Sequence, residues 1–215
     1  MFERSYVARL GGKSRIDDAM LTVAREAFLP EKQKGSAGFD IALPIGGGST
    51  CSQPTTVRTM LELLDPVPGN NVLDVGSGSG WTIAILAALI REGGTQDGTV
   101  TGAVTGVELL VEMVDRSQGT LDALGVTNAR VLHADESVLG YPDGAPYDRI
   151  LVSADARGSV PQELVDQLAP GGVLVCPVDG VMTVVRKPVD PGQDVQASQY
   201  GLYRFVPLVS RRDRP

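Results

Sequence analysis

Histidine and cysteine are almost missing from this sequence: His133 is the one histidine, and Cys51 and Cys176 are the two cysteines. A site built from several histidines is therefore excluded. Two cysteines far apart in the chain, without CxxC spacing, signal neither a metal site nor a disulfide framework. A Ser-His-Asp hydrolase would have to use His133, which ends an apolar strand-like run, and no G-x-S-x-G elbow is present. Long hydrophobic runs are missing too. The longest, Ile83 to Ile90, is far short of the ~18 residues of a membrane span and fits a buried helix. The opening segment MFERSYVARLGGKSR has charge but no apolar core, so a secretory signal is not expected. A cytoplasmic, membrane-free protein is the expectation. Basic clusters are absent except for Arg211, Arg212 and Arg214 at the C-terminal end, and the formal net charge is −7. A nucleic-acid partner would need a basic stripe, so none is expected.

What is present reads as a globular chain. Hydrophobic residues make up 42% and charged residues 21% of 215, enough for one sizeable core. Ile16, Met20, Val23 and Ala27 share one face of a helix predicted over 16–28. Residues 35–50, rich in Gly and Ser, read as a loop, and Pro54 opens a helix that closes before Pro66. An alternation follows. Strands are predicted at 71–76, 103–108, 129–134 and 148–154, with helices at 81–90, 109–124 and 160–168 between or after them. Strands at 173–178 and 182–187 form a hairpin across Asp179-Gly180, and 203–208 reads as a last strand. Residues 91–102 and 188–199 read as long polar loops. Alternating strands and helices imply an α/β, doubly wound, mostly parallel sheet, and the β-rich tail adds an antiparallel C-terminal edge.

The chemistry concentrates in VLDVGSGSGW, residues 72–81. A hydrophobic strand enters a turn with Gly76, Gly78 and Gly80, and a helix follows. Such a turn lets a ligand approach the backbone, and the helix N-terminus is expected to offer free N–H groups. In open parallel sheets ligands lie at the carboxyl ends of the strands, at this switch point. The spacing is G-x-G-x-G, not the G-x-G-x-x-G of dinucleotide sites. With Asp74 two residues before the first glycine, it resembles the S-adenosylmethionine-dependent methyltransferases. That resemblance implies S-adenosyl-L-methionine as cofactor, Asp74 near its amino acid end, and an acidic residue at the end of the second strand to accept from the ribose hydroxyls. Glu108 occupies that place, 34 positions after Asp74, the distance being stretched by the polar insertion at 91–102. An acid at a helix N-terminus is also favoured by the helix dipole alone.

Further stretches are similar to the protein-L-isoaspartate O-methyltransferase family and together cover most of the chain. They are AREAFLPE (24–31), ALPIGGGSTCSQPTTV (42–57), GAPYDRILVSADA (144–156), VPQELVDQLAPGGVLVCPV (160–178) and YRFVPL (203–208). The SQP loop and the RFVPL end are more specific than the glycine motif. Departures from the family pattern are Cys51 for a usual Ile, Thr55 for an aromatic, Gly38 for a Tyr, and His133-Ala134-Asp135-Glu136 for a usual G-D-G.

The resemblance implies a seven-stranded Rossmann-like methyltransferase sheet in a single domain, 1–215. Within it, 1–70 would hold N-terminal helices and the substrate loop, 71–178 the cofactor-binding core, and 179–215 a β-rich segment. It implies methyl transfer to the free α-carboxylate of isoaspartyl residues in damaged proteins or peptides, followed by collapse of the ester to a succinimide. It also implies Ser52 as the catalytic residue, and Thr50, Gln53, Ser77, Asp135 and Glu136 as cofactor contacts beside Asp74, the three glycines and Glu108. No metal is expected, and a monomer is. Purely structural roles stay open for some of these. A serine two residues before a helix-opening proline also bonds backbone groups, Asp135 is also a loop acid at a strand end, and Cys51 reads as an inert packing thiol. A methyltransferase for another carboxylate, or a non-catalytic binding module on the same fold with Glu136 disturbing the cofactor edge, are the competing readings. A nucleotide-dependent dehydrogenase is disfavoured by the glycine spacing.

Overall fold

The computed structural model of the protein describes residues 14–91 and 102–209. Most of the 91–102 insertion, the first thirteen residues and the C-terminal arginines lie outside the described residues. The N-terminal part comprises α1 (Arg15–Thr22), a 3-10 turn (Arg25–Phe28), the short α2 (Glu31–Lys34), a hairpin of β1 (Leu43–Gly46) and β2 (Ser49–Cys51), and α3 (Pro54–Leu64). The core then runs β3 (Asn71–Val75), α4 (Trp81–Ile90), β4 (Ala103–Glu108), α5 (Val111–Ala123), β5 (Ala129–His133), β6 (Tyr147–Val152), α6 (Gln162–Asp166), β7 (Leu168–Val178), β8 (Val181–Arg186) and β9 (Gln196–Leu202).

The main sheet has seven strands in the order β5-β4-β3-β6-β7-β8-β9. The first five pair in parallel, and β8 and β9 join antiparallel. The doubly wound sheet with an antiparallel edge is therefore present. Its central strands are apolar on both faces because helices or loops cover both. Val72, Val104, Leu151 and Val175 pack with α1, α3 and α4 on one side; Leu73, Val75, Val107, Ile150 and Val152 pack on the other with Leu164 and Val165 of α6. Continuous apolar strands of this kind are the mark of a covered parallel sheet. The chain order reverses direction at β3, which has β4 on one side and β6 on the other, so a crevice opens beyond their carboxyl ends.

Four sequence expectations need correction. The helix predicted over 16–28 ends at Thr22, because Val23 is extended and the chain restarts as a 3-10 turn that buries Arg25. The loop predicted over 35–50 contains the β1–β2 hairpin, a strand pair too short for a periodic signal. The predicted helix 160–168 shrinks to α6, and β7 starts at Leu168. The last strand is not 203–208 but β9, inside a stretch read as polar loop. Its seven residues are all exposed, so backbone pairing to β8 holds it without apolar burial. Residues 203–208 make only a bridge at Pro207, which cannot donate to a ladder. Among the described residues no helix is long and apolar enough to cross a membrane.

Candidate active site

The crevice is a cleft of about 1580 Å³ at the carboxyl ends of β3, β4, β5 and β6. The glycine turn forms its floor. Gly76 and Ser77 donate their N–H groups to Val107 O at 2.9 and 3.2 Å, and Gly80 donates to Ser77 O at 3.0 Å. The Gly78 N–H donates to Glu108 Oε2 at 2.9 Å. These bonds lock the turn to the end of β4, and at the start of α4 the Trp81 N–H reaches Ser79 Oγ at 3.5 Å. Gly80 holds φ +84°, and a Cβ there would lie 3.0 Å from Ser117 Cβ on α5, so the third glycine serves helix packing.

Glu108 is 8% exposed and faces the cleft. Its second oxygen, Oε1, accepts from Leu110 N at 3.1 Å. Each carboxylate oxygen therefore ties one backbone amide and keeps a lone pair for the cleft. Asp74 is fully buried and does not line the cleft. Its Oδ1 accepts from the Ser153 hydroxyl at 2.9 Å, and its Oδ2 has no partner. Burial first, opposed by the Ser153 hydrogen bond and reinforced by the Glu108 charge, pushes its carboxyl up to about 7. Ser153 immediately follows β6 and does line the cleft, so it stands between Asp74 and any ligand. The sequence reading missed it. The switch-point rule that picked out the ends of β3 and β4 would have found it at the end of the neighbouring strand.

The other predicted residues divide. Thr50, Ser52, Gln53, Gly76, Gly78, Asp135 and Glu136 line the cleft with Glu108; Ser77 and Gly80 do not. The Ser77 hydroxyl is buried without a partner, turned toward the space above Gly106. Asp135 accepts from the Ser137 amide at 2.8 Å and hydroxyl at 2.7 Å, which hold its carboxyl below the usual carboxylate range. Cys51 is buried in the core cluster beside Leu43 and Met60, as a packing thiol. His133 touches Leu109 O at 3.0 Å and takes no place in the cleft lining. The β1–β2 hairpin folds over the site, held by Arg116 Nη1 donating to Ile45 O at 3.0 Å. The far wall is the 202–209 segment, tied to Asp155 through Asp155 N to Val206 O and Leu208 N to Asp155 O, both 2.8 Å.

A glycine floor without side chains, an acid on the adjacent strand with lone pairs to spare, and an unspent buried carboxylate oxygen beneath fit a cationic nucleoside cofactor. The family model described as protein-L-isoaspartate(D-aspartate) O-methyltransferase matches residues 2–213. The chain belongs to this family. The family's methyltransferases depend on S-adenosylmethionine. A protein-L-isoaspartate O-methyltransferase of Methanopyrus kandleri is 40% identical over 200 residues, 91% of this chain and 84% of that relative. Protein-L-isoaspartate O-methyltransferase 1 of Rhodopseudomonas palustris is 41% identical over 194 residues, 89% of this chain and 74% of its own. In the solved structures the fold recurs. One protein-L-isoaspartate O-methyltransferase superposes with a TM-score of 0.80 at 24% identity, over 95% of this chain and 65% of that one. A Plasmodium falciparum chain described under the same enzyme name, in complex with S-adenosyl-L-homocysteine, superposes with 0.78 at 23% identity over 96% and 99%. At those identities the superpositions speak for the fold alone. Among the described residues no group of three His, Cys, Asp or Glu could hold a metal ion.

Proposed function

We propose that this protein methylates the free α-carboxylate of L-isoaspartyl residues in damaged proteins and peptides, with Ser52 as its catalytic residue. The observation that carries the reading is one cleft lined by both Ser52 and Glu108, in a chain of this family. S-adenosylmethionine, when bound, supplies a methyl group on an electrophilic sulfonium. The acceptor is a carboxylate, already ionised near neutral pH, so no side chain has to take a proton. What the protein supplies is position and exclusion of water. Ser52 donates its hydroxyl to the substrate carboxylate and orients it. Glu108 would accept from the ribose hydroxyls of the bound cofactor, while its bonds to the Gly78 and Leu110 amides keep the glycine turn in shape. Gly76 and Gly78 would allow close approach, and Thr50, Gln53, Asp135 and Glu136, which line the same cleft, would hold the rest of the cofactor. Asp74 acts from below through Ser153, and Ser77 and Gly80 contribute shape rather than contact.

We further assign the whole chain to one catalytic domain, with the division at 70 and 178 separating substrate loop, cofactor core and β-rich tail. An intracellular cofactor supports a cytoplasmic place of action.

Ser52→Ala tests the catalytic assignment. The fold and the affinity for S-adenosylhomocysteine, measured by calorimetry, are expected to stay near wild type, while kcat falls by about 10²-fold or more. A near-normal kcat would return Ser52 to a backbone-bonding role.

A further inference from the structure

Arg25 is 2% exposed, among the most buried large side chains of the protein. Burying a guanidinium is costly unless its donors are used. Here they are spent on main-chain carbonyls. Nη1 donates to Ala37 O at 3.3 Å and Phe39 O at 3.1 Å. Nη2 donates to Ile41 O at 2.8 Å, Cys51 O at 3.1 Å and Ser52 O at 2.9 Å. Nε is buried without a partner. The guanidinium carbon lies 5.3 Å from the centroid of the Trp81 ring, at the first residue of α4, directly after the glycine turn. Among the described residues no carboxylate pairs with Arg25.

The targets are informative. All five carbonyls belong to 37–52, the segment that folds over the cleft and ends on Ser52. Two come from Cys51 and Ser52 themselves, and three from the chain leading into the hairpin. The segment is also held by Arg116 on Ile45 O, by Asp40 accepting from the Thr55 amide at 2.9 Å, and by burial of Leu43, Ile45 and Cys51 in the core. One planar fork thus fixes both ends of the loop to each other and to the start of α4. Lysine could not do this, because its one nitrogen carries three donors and lacks the planar two-nitrogen fork that meets five carbonyls here.

We propose that Arg25 is the positioning residue for Ser52. It sets the Ser52 peptide relative to the glycine turn and so aims the hydroxyl at the acceptor carboxylate. This inference rests on the reading of Ser52 as catalytic.

The test is a double-mutant cycle in full-length enzyme with an isoaspartyl peptide. Arg25→Lys keeps the charge and loses the fork. Its kcat is expected to fall roughly 10-fold or more while the KM for peptide changes little, since a small misplacement costs rate rather than binding. In a Ser52→Ala background the same change is expected to cost less than about 2-fold, because the group that it aims is gone. Arg25→Ala should lose more, and free guanidinium, well below unfolding concentrations, should restore part of its kcat where matched sodium chloride does not. Trp81 is the one tryptophan, so its fluorescence reports folding and the stacked contact in every variant. A normal Ser52→Ala enzyme would overturn the Ser52 reading and this proposal with it. An impaired Ser52→Ala enzyme beside a fully active Arg25→Lys, or losses that multiply in the double variant, would overturn the proposal alone. Global unfolding of Arg25→Lys, read from Trp81, would also overturn it by making Arg25 a general core element.

Discussion

Asp74→Asn isolates the one buried carboxyl whose charge the fold leaves half-compensated. The substitution keeps the shape and the oxygen that accepts from Ser153, and removes the ionisation. In the wild-type protein burial holds the Asp74 carboxyl up at about 7, against 3.8 for an ordinary aspartate. The native state therefore holds a proton between those values that the unfolded chain has lost. Stability falls as pH rises wherever the native state binds more protons, here by up to ~1.4 kcal/mol per pH unit. The favourable contribution of the protonated form is complete below pH 3.8 and is lost as pH rises through about 7. Over that window the loss sums to roughly 4 kcal/mol, an upper figure for a fully buried group. Asparagine carries a fixed cost for its buried amide, ~1–3 kcal/mol, at every pH. The difference in unfolding free energy, mutant minus wild type, should rise by several kcal/mol from pH 4 to pH 8 and then level off, while the other carboxylates cancel in the difference. Urea unfolding of both proteins at half-unit pH intervals measures it. A difference that stays flat with pH would refute the reasoning, since Asp74 would then be ionised throughout and paired in a way that its bare Oδ2 does not show.

Three other expectations follow from particular contacts. Glu108→Gln turns an NH₂ toward either the Gly78 or the Leu110 amide, so one charge-assisted bond becomes a donor–donor clash. Affinity for S-adenosylhomocysteine should fall by about 10–100-fold, equivalent to about 1.4–2.8 kcal/mol, in a calorimetric titration, and unchanged affinity would place the ribose contact elsewhere. Gly80→Ala meets a positive φ and the Ser117 side chain at 3.0 Å, and should lower the unfolding free energy by about 1–3 kcal/mol in urea, with an unchanged midpoint arguing that α4 and α5 are free to separate. Cys51→Ala should cost about 1–2 kcal/mol of stability and leave kcat within a few-fold, whereas loss of turnover in a stably folded variant would reopen Cys51 as a nucleophile.

The parts of the fold that the sequence made legible are those where side-chain pattern and burial agree. β3, β4 and β6 are apolar on both faces and flanked by turn signals, and VLDVGSGSGW joins a strand, a turn and a helix in ten residues. Glu108 was legible because a strand end beside the switch point is a defined place. β9 was not, because its residues are exposed and it is held by backbone pairing to β8, which leaves no apolar pattern in the sequence. The β1–β2 hairpin was hidden because three and four residues show no period. Arg25 was hidden by the opposite effect: it stood in a segment with good helical spacing, and only the folded loop reveals carbonyls needing a donor. Ser77 shows the limit of a motif. Its position matches, yet its hydroxyl turns into the protein, since the N–H groups on either side are tied to β4.

The central claim is met most directly by peptide pairs that differ only in an isoaspartyl or aspartyl linkage. The isoaspartyl residue has a methylene in the main chain and its free carboxylate on a short branch; the normal residue carries its carboxylate one methylene further out. A site that sets one carboxylate beside Ser52 misplaces the other by about an ångström, which can cost 10²-fold in rate. Tritiated methyl transfer from S-adenosylmethionine, with the product followed by mass spectrometry at mildly acidic pH, should show at least roughly that preference for the isoaspartyl peptide. The product should be a base-labile ester that decays to succinimide. Equal rates on both peptides, or a methyl group that survives base, would contradict the isoaspartyl assignment and leave a methyltransferase with a different acceptor.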